Sequence, residues 1–292
     1  MNYELKGRTA LVTGATSGIG KNTAQALARM GARVLVHGRN PAKIEATVTE
    51  LRAGSAGEVE GLVADFASLS DVRRLAADVR ARTDRLHVLV NNAGGAVMER
   101  ALSRDGIERT FAVNHLAPFL LTGLLLDLLK ASAPARIVNV ASEAHRGGRF
   151  SFDDIQNERR YRAFQVYGQT KLQNVMFTYE LARRLAGTGV TVTAMHPGVV
   201  DTGIWNAATG WARAVVRVMQ WFMITPERGA APLIRLASAP DVEGVTGVYF
   251  KRFKPAATAD PSNDTALQAR LWDVSARLVG LPSNSGTTRP VT

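Results

Sequence analysis

The stretch TALVTGATSGIGKNTAQALARMG, residues 9–31, decides the fold. A β-branched apolar run at 9–13 meets three glycines, Gly14, Gly18 and Gly20, and a segment of helical length follows over 20–31. Glycines at such a strand-to-helix junction permit a tight turn. They also let backbone N–H groups approach a pyrophosphate at the positive end of the helix. Glycine-rich turns are common, so the motif gains weight only from its place between a strand and a helix.

Working outward, the same alternation recurs. Short apolar runs at 33–36, 59–63, 88–91, 136–140, 191–195 and 247–250 are separated by helical patterns such as 40–53, 69–82 and 167–186. Strands that are apolar throughout belong in a parallel sheet covered on both faces. The expectation is an α/β fold: a seven-stranded, mostly parallel, doubly wound sheet with right-handed crossovers. No repeat, low-complexity tract or linker divides the chain, so residues 1–282 read as one domain. Residues 283–292, rich in Ser, Thr, Pro and Gly, read as a fraying tail.

Composition narrows the function. The 292 residues are 46% hydrophobic and 21% charged, as in soluble globular proteins. The formal charge of +11 is scattered, without the basic runs or zinc-finger spacings of nucleic-acid binders. The absence of cysteine excludes disulfides, thiolate catalysis and Cys-ligated metals. His37, His87, His115 and His196 have no metal-ligand spacing, and no metal is expected. Residues 116–129 are the longest apolar run, broken by Pro118 and Asp127 and shorter than the ~20 residues that span a bilayer; they read as a buried helix. With no signal peptide evident at the N-terminus, a soluble cytoplasmic protein is expected.

The second strand ends at Gly38-Arg39-Asn40. An NAD-selective site would place Asp or Glu here for the adenosine 2′-hydroxyl. A guanidinium instead pairs with a 2′-phosphate, so Arg39 points to NADP(H) over NAD(H); its other reading is a solvated loop residue. Later, Tyr167 and Lys171 stand four apart in a helical stretch and so share a face. An ammonium beside a phenol favours the phenolate, which is expected to lower the tyrosine pKa and suit it to proton transfer. Ser142 follows a strand end, where doubly wound sheets bind ligands. Asn91-Asn92-Ala93-Gly94 follows another, and Asn114 lies in the next helix.

Residues 13–20 (TGATSGIG), 91–94 (NNAG), Asn114, Ser142, 167–171 (YGQTK) and Pro197-Gly198 together resemble the short-chain dehydrogenase/reductase superfamily over nearly the whole chain. The resemblance implies a Rossmann-type fold and an Asn114-Ser142-Tyr167-Lys171 tetrad. In it Tyr167 is the general acid/base and Ser142 polarises the carbonyl. Lys171 binds the nicotinamide ribose and depresses the Tyr167 pKa, and Asn114 holds a relay water. It further implies cofactor contacts from Gly14, Ser17, Gly18, Ile19, Gly20, Arg39, Asn40, Asp65, Asn92, Ala93, Gly94, Pro197, Gly198, Val200 and Thr202. Ala141 stands where many relatives have a second serine. GRN at 38–40, YGQTKL at 167–172, HPGVV at 196–200, GVYF at 247–250, Leu271-Trp272 and the extra segment 145–163 are similar to the retinol-dehydrogenase-like branch.

The implied activity is hydride transfer between NADP(H) and a lipophilic ketone or aldehyde (polycyclic polyketide, steroid, retinoid or xenobiotic) or the matching alcohol. The alternative is a non-catalytic NADP(H)-binding regulator on the same fold. Residues 201–226, with Trp205, Trp211, Trp221 and Phe222, read either as an apolar lid over the substrate or as a satellite core; peripheral membrane contact by this stretch is a third reading. Met98 and His145 are further pocket candidates. Relatives often assemble through the helices carrying Asn114 and Tyr167, which suggests a homo-oligomer.

Overall fold

A computed structural model describes residues 4–198 and 224–282. All but the last three residues of the 201–226 stretch, with Val200, Thr202, Trp205 and Trp211, and the 283–292 tail lie outside the described residues.

The strands are β1 (Thr9–Val12), β2 (Arg33–Gly38), β3 (Val59–Val63), β4 (Val88–Asn91), β5 (Ala135–Val140), β6 (Val190–His196), β7 (Val248–Lys251) and β8 (Lys254–Pro255). The helices are α1 (Gly18–Arg29), α2 (Pro41–Ala53), α3 (Leu69–Arg82), α4 (Arg109–Ala131), α5 (Ala163–Arg184), α6 (Pro226–Ser238) and α7 (Thr265–Val279). The sheet order is β3-β2-β1-β4-β5-β6-β7-β8. Every pairing is parallel except β7 with β8. All seven expected strands are present; the eighth was not expected. It is a two-residue return after a tight turn at Arg252-Phe253, too short to carry a period-two pattern, and Pro255 cannot extend a ladder.

Side chains alternate between two cores. Leu11, Leu35, Leu62, Leu89, Ile137 and Val192 face one core, built with α3, α4, α5 and α7. Val12, Val34, Val36, Val59, Val90 and Val138 face the other, built with α1, α2 and α6. The order reverses between β1 and β4, and in sheets of this kind ligands bind at the carboxyl ends of the strands at that point.

Helix α4 carries the long apolar run. By length and composition its 23 residues could cross a membrane, but 72% of its apolar window is buried inside the fold. Its second turn, Ala112–Leu116, is wound as a π turn. Helix α7 lies across α4 and α5, with Trp272 against Phe119 and Phe177 and the Arg184 guanidinium over its ring.

The extra segment 145–163 wraps the start of α5. Ile155 accepts from Gln169 Nε2 at 2.8 Å, and Asn157 Nδ2 donates to Gln169 Oε1 at 3.1 Å. Tyr161 Oη donates to the Val97 carbonyl at 2.6 Å, tying this segment to the loop after β4.

Three buried histidines, His37, His115 and His196, are held neutral: burial lowers each from 6.5 to about 4. Between those values the unfolded chain binds more protons than the folded one. Stability from these groups is therefore complete above about pH 6.5 and falls as pH drops toward 4. The unfolding free energy from urea titration is expected to be lower at pH 5 than at pH 7 by on the order of 1–2 kcal/mol per histidine. Equal values at the two pH values would contradict the buried, neutral assignment.

Candidate active site

The turn between β1 and α1 is built by backbone conformation. Gly14 and Gly18 have φ of 64° and 55°, in the left-handed region. The first turn of α1 has no acidic residue, and the Ser17 side chain makes no capping bond to it. The amides of Gly18, Ile19 and Gly20 thus open a helix whose positive end is free for an anion.

The loop after β4 presses directly on this turn. Thr13 Oγ1 donates to the Val90 carbonyl at 3.1 Å and accepts from the Asn92 and Ala93 amides at 2.9 and 3.1 Å. Asn92 Nδ2 donates to the carbonyls of Thr13 and Gly14 at 2.8 and 3.1 Å. A methyl group on Gly20 would overlap Asn92 Nδ2, and one on Gly94 would stand 2.9 Å from Asn114 Oδ1. The glycines let the turn, the loop after β4 and Asn114 pack this closely, where a larger residue would push them apart.

Histidine 37, without an assigned role in the sequence, closes the back of this turn. Its Nδ1 lies 3.4 Å from the Gly14 amide, its Nε2 lies 3.1 Å from the Ala64 carbonyl, and its ring stacks on Phe66 at 4.4 Å. A neutral ring donating from Nε2 and accepting at Nδ1 satisfies both. Only its place one residue before Gly38 could have signalled this.

At the end of β2, Arg39 is exposed and has no ion-pair partner among the described residues. Its neighbour Asn40 accepts from the Lys43 amide at 3.1 Å and so caps α2. Asp65, after β3, is half-buried, and its Oδ1 accepts from the Ala67 amide at 3.0 Å. Pro197 and Gly198 follow β6, and a Cβ on Gly198 (φ 107°) would meet Ile224 and Arg252.

The four residues of the expected tetrad converge at the carboxyl edge of β4 and β5. Lys171 is buried, donates to the Val140 carbonyl at 2.8 Å and lies 5.4 Å from the centre of the Tyr167 ring. Asn114 Nδ2 donates to the Gly95 carbonyl at 2.9 Å and to Thr170 Oγ1 at 3.0 Å, while Oδ1 accepts from the Gly95 amide at 2.9 Å. Thr170 in turn donates to the Tyr167 carbonyl at 2.8 Å. The Ser142 hydroxyl is near enough to the Tyr167 phenol to favour its ionised form.

The electrostatics differ from the sequence expectation on one point. Burial raises the Tyr167 pKa, with the nearby Ser142 hydroxyl opposing it, instead of the lowering expected from Lys171. The reason is that Lys171 sits over the ring face and spends a proton on Val140, while both groups are desolvated. Burial pulls Lys171 itself down from 10.5 to about 8. In the folded protein alone Tyr167 is a protonated acid.

The pocket candidates separate. Met98 is 44% exposed beside the loop after β4. His145 is fully buried, with Nδ1 2.6 Å from the Ser142 carbonyl and Nε2 3.4 Å from the Ala259 amide. It fixes the backbone at Ser142 and does not open onto the cleft.

Comparison with known proteins agrees with this architecture. A family model described as short chain dehydrogenase matches residues 8–213. Mouse retinol dehydrogenase 14 is 42% identical over 95% of this chain and 87% of the relative. Human retinol dehydrogenase 13 is 41% identical over 98% of this chain and 89% of the relative. Among solved structures, a protein of Mycobacterium paratuberculosis superposes with TM-score 0.77 at 32% identity, covering 96% of each chain. The NADP complex of RhlG from Pseudomonas aeruginosa superposes with TM-score 0.70 at 29% identity over 86% of this chain and 97% of the other. The glycine cradle, the sheet order and these likenesses agree: the chain belongs to the short-chain dehydrogenase family and is retinol-dehydrogenase-like.

Proposed function

We propose that this oxidoreductase is selective for NADP(H) and interconverts a lipophilic aldehyde or ketone, a retinoid among them, with its alcohol. The observation that carries the reading is the convergence of Ser142, Tyr167 and Lys171 at the same edge of the sheet as the glycine turn and Arg39. The residues present fit a nicotinamide dinucleotide: a tight glycine turn, helix amides for the pyrophosphate, and a guanidinium without an ion-pair partner among the described residues at the end of β2. When bound, the cofactor supplies the hydride.

The chain's own residues do the rest. Ser142 holds the substrate oxygen by donating to it, and Tyr167, protonated in the free protein, delivers its proton to that oxygen on reduction. Lys171 sits where it orients the ribose hydroxyls and holds positive charge near the phenol once the proton leaves. The relatives named retinol dehydrogenases support a retinoid-sized apolar substrate.

The test is a nicotinamide fluorescence titration of the protein with NADPH and NADH, repeated on Arg39→Ala. Wild type is expected to bind NADPH at least about tenfold more tightly, and the variant to lose most of that preference, because a bidentate guanidinium–phosphate pair is gone. NADPH-dependent loss of all-trans-retinal then tests the substrate class. Equal affinity for both cofactors in wild type would remove NADP(H) selectivity. Failure to bind either would remove the proposal altogether.

A further inference from the structure

Asn114 lies in the π turn of α4, and its main-chain carbonyl has lost its ordinary partner. In an α-helix that carbonyl would accept from the amide of residue 118, but residue 118 is proline and has no N–H. The Ala117 amide reaches back to the Ala112 carbonyl, which closes the wider ring. A buried carbonyl without a donor is costly. Asn174 supplies one from α5: its Nδ2 donates to the Asn114 carbonyl at 3.0 Å.

This bond dictates the rest of a chain. A carbonyl only accepts, so the amide group of Asn174 faces Asn114 and its Oδ1 faces His115, 3.2 Å from Nδ1. His115 must therefore carry its proton on Nδ1, which leaves Nε2 to accept from Ser275 Oγ at 2.9 Å. Ser275 belongs to α7. The donors run head to tail from Ser275 through His115 and Asn174 to Asn114, and all four residues are buried. Aligned bonds of this kind strengthen one another. Asn174 also follows Lys171 by one turn of α5, so the residue that holds Asn114 moves with the lysine.

We propose that Asn174 is a positioning residue for the tetrad. It replaces the amide that Pro118 lacks, fixes the π turn that aims the Asn114 side chain at Gly95 and Thr170, and through His115 and Ser275 links that geometry to the C-terminal helix. The inference rests on the reading of Asn114, Tyr167 and Lys171 as the reacting end of the site.

The test uses Asn174→Leu, which keeps the volume without donor or acceptor, together with Ser275→Ala and Ser275→Thr. Three measurements are made: hydrogen exchange on the cofactor-free protein, NADPH affinity by fluorescence, and steady-state reduction of all-trans-retinal. For Asn174→Leu the expectation is faster exchange confined to residues 109–120, with the 69–82 helix unchanged. Its kcat should fall about tenfold to hundredfold, with KM and NADPH affinity within about twofold. Ser275→Ala should shift exchange and kcat in the same direction by less, and Ser275→Thr, which restores the hydroxyl, should return both.

Wild-type kcat and exchange in Asn174→Leu would overturn the proposal. So would a uniform rise in exchange with kcat, KM and affinity worsening together, since that marks a general loss of structure. If Asn174→Leu does not fold, the Ser275 pair decides, and identical behaviour of Ser275→Ala and wild type overturns it. Full turnover in Tyr167→Phe would instead sink the underlying reading of the tetrad; the exchange result needs neither cofactor nor substrate and stands apart from it.

Discussion

Tyr167→Phe is expected to lower turnover of all-trans-retinal by about a thousandfold, within the range that a positioned proton donor contributes, while leaving NADPH affinity within about twofold. Phenylalanine keeps the ring in its buried place and removes the hydroxyl alone. Two things go with that hydroxyl: its polar contact with Ser142, and the proton that burial keeps on the phenol. The first loss costs at most about 1 kcal/mol, the upper scale for one such polar contact, so a shift of only a few degrees in Tm is expected. The second has no substitute, because Lys171 is turned to the Val140 carbonyl and Ser142 has no base beside it to replace a proton. Steady-state kinetics and a fluorescence titration on the same preparation separate the effects. A variant with more than about a tenth of wild-type kcat would mean that another group supplies the proton, and the assignment of Tyr167 would fail.

Gly14→Ala should weaken NADPH binding by on the order of a hundredfold, about 2.7 kcal/mol. Gly14 has φ of 64°, and a Cβ there would stand 2.8 Å from Ala93 Cα and 3.2 Å from Ala93 N. The neighbour is backbone and cannot step aside, because the Ala93 and Asn92 amides are both pinned to Thr13 Oγ1 at 3.1 and 2.9 Å. The turn must move instead, and with it the helix amides that would meet the pyrophosphate. Gly7→Ala is the control: Gly7 has φ of 76° but nothing within 4 Å of an added Cβ, so it carries the backbone strain without the collision. Gly7→Ala is expected to lose about 1 kcal/mol of stability and to bind NADPH as wild type does. If both variants bind equally well, close approach of the two loops does not govern the cofactor groove.

The clearest correction to the sequence reading concerns Tyr167. Spacing alone placed an ammonium on the same helix face as the phenol, and the inference of a lowered pKa followed from charge. In the fold both groups are desolvated, and the lysine's proton is already shared with a carbonyl on β5, so burial dominates. His145 is a similar case. Its nearness in sequence to Ser142 suggested the pocket, whereas Tyr249, 4.9 Å from its ring, and Ala259 hold it from the far side of the chain.

Local chemistry written along the chain determined the strands and helices, the glycine turn, the capping Asn40, and the loss of an amide at Pro118. Each of these depends on a residue and its immediate neighbours, through φ/ψ preference, periodicity or a missing donor. Tertiary structure alone decided which atoms those residues offer. That His37 braces Gly14, that Thr13 staples the loops after β1 and β4, and that Asn174 answers the carbonyl freed by Pro118 all involve partners brought together only when β1, β2 and β4 align and α4 and α5 pack over them. Buried polar groups must find donors and acceptors wherever the fold places them, and no periodicity in the sequence records which partner, sixty residues away, will be within reach.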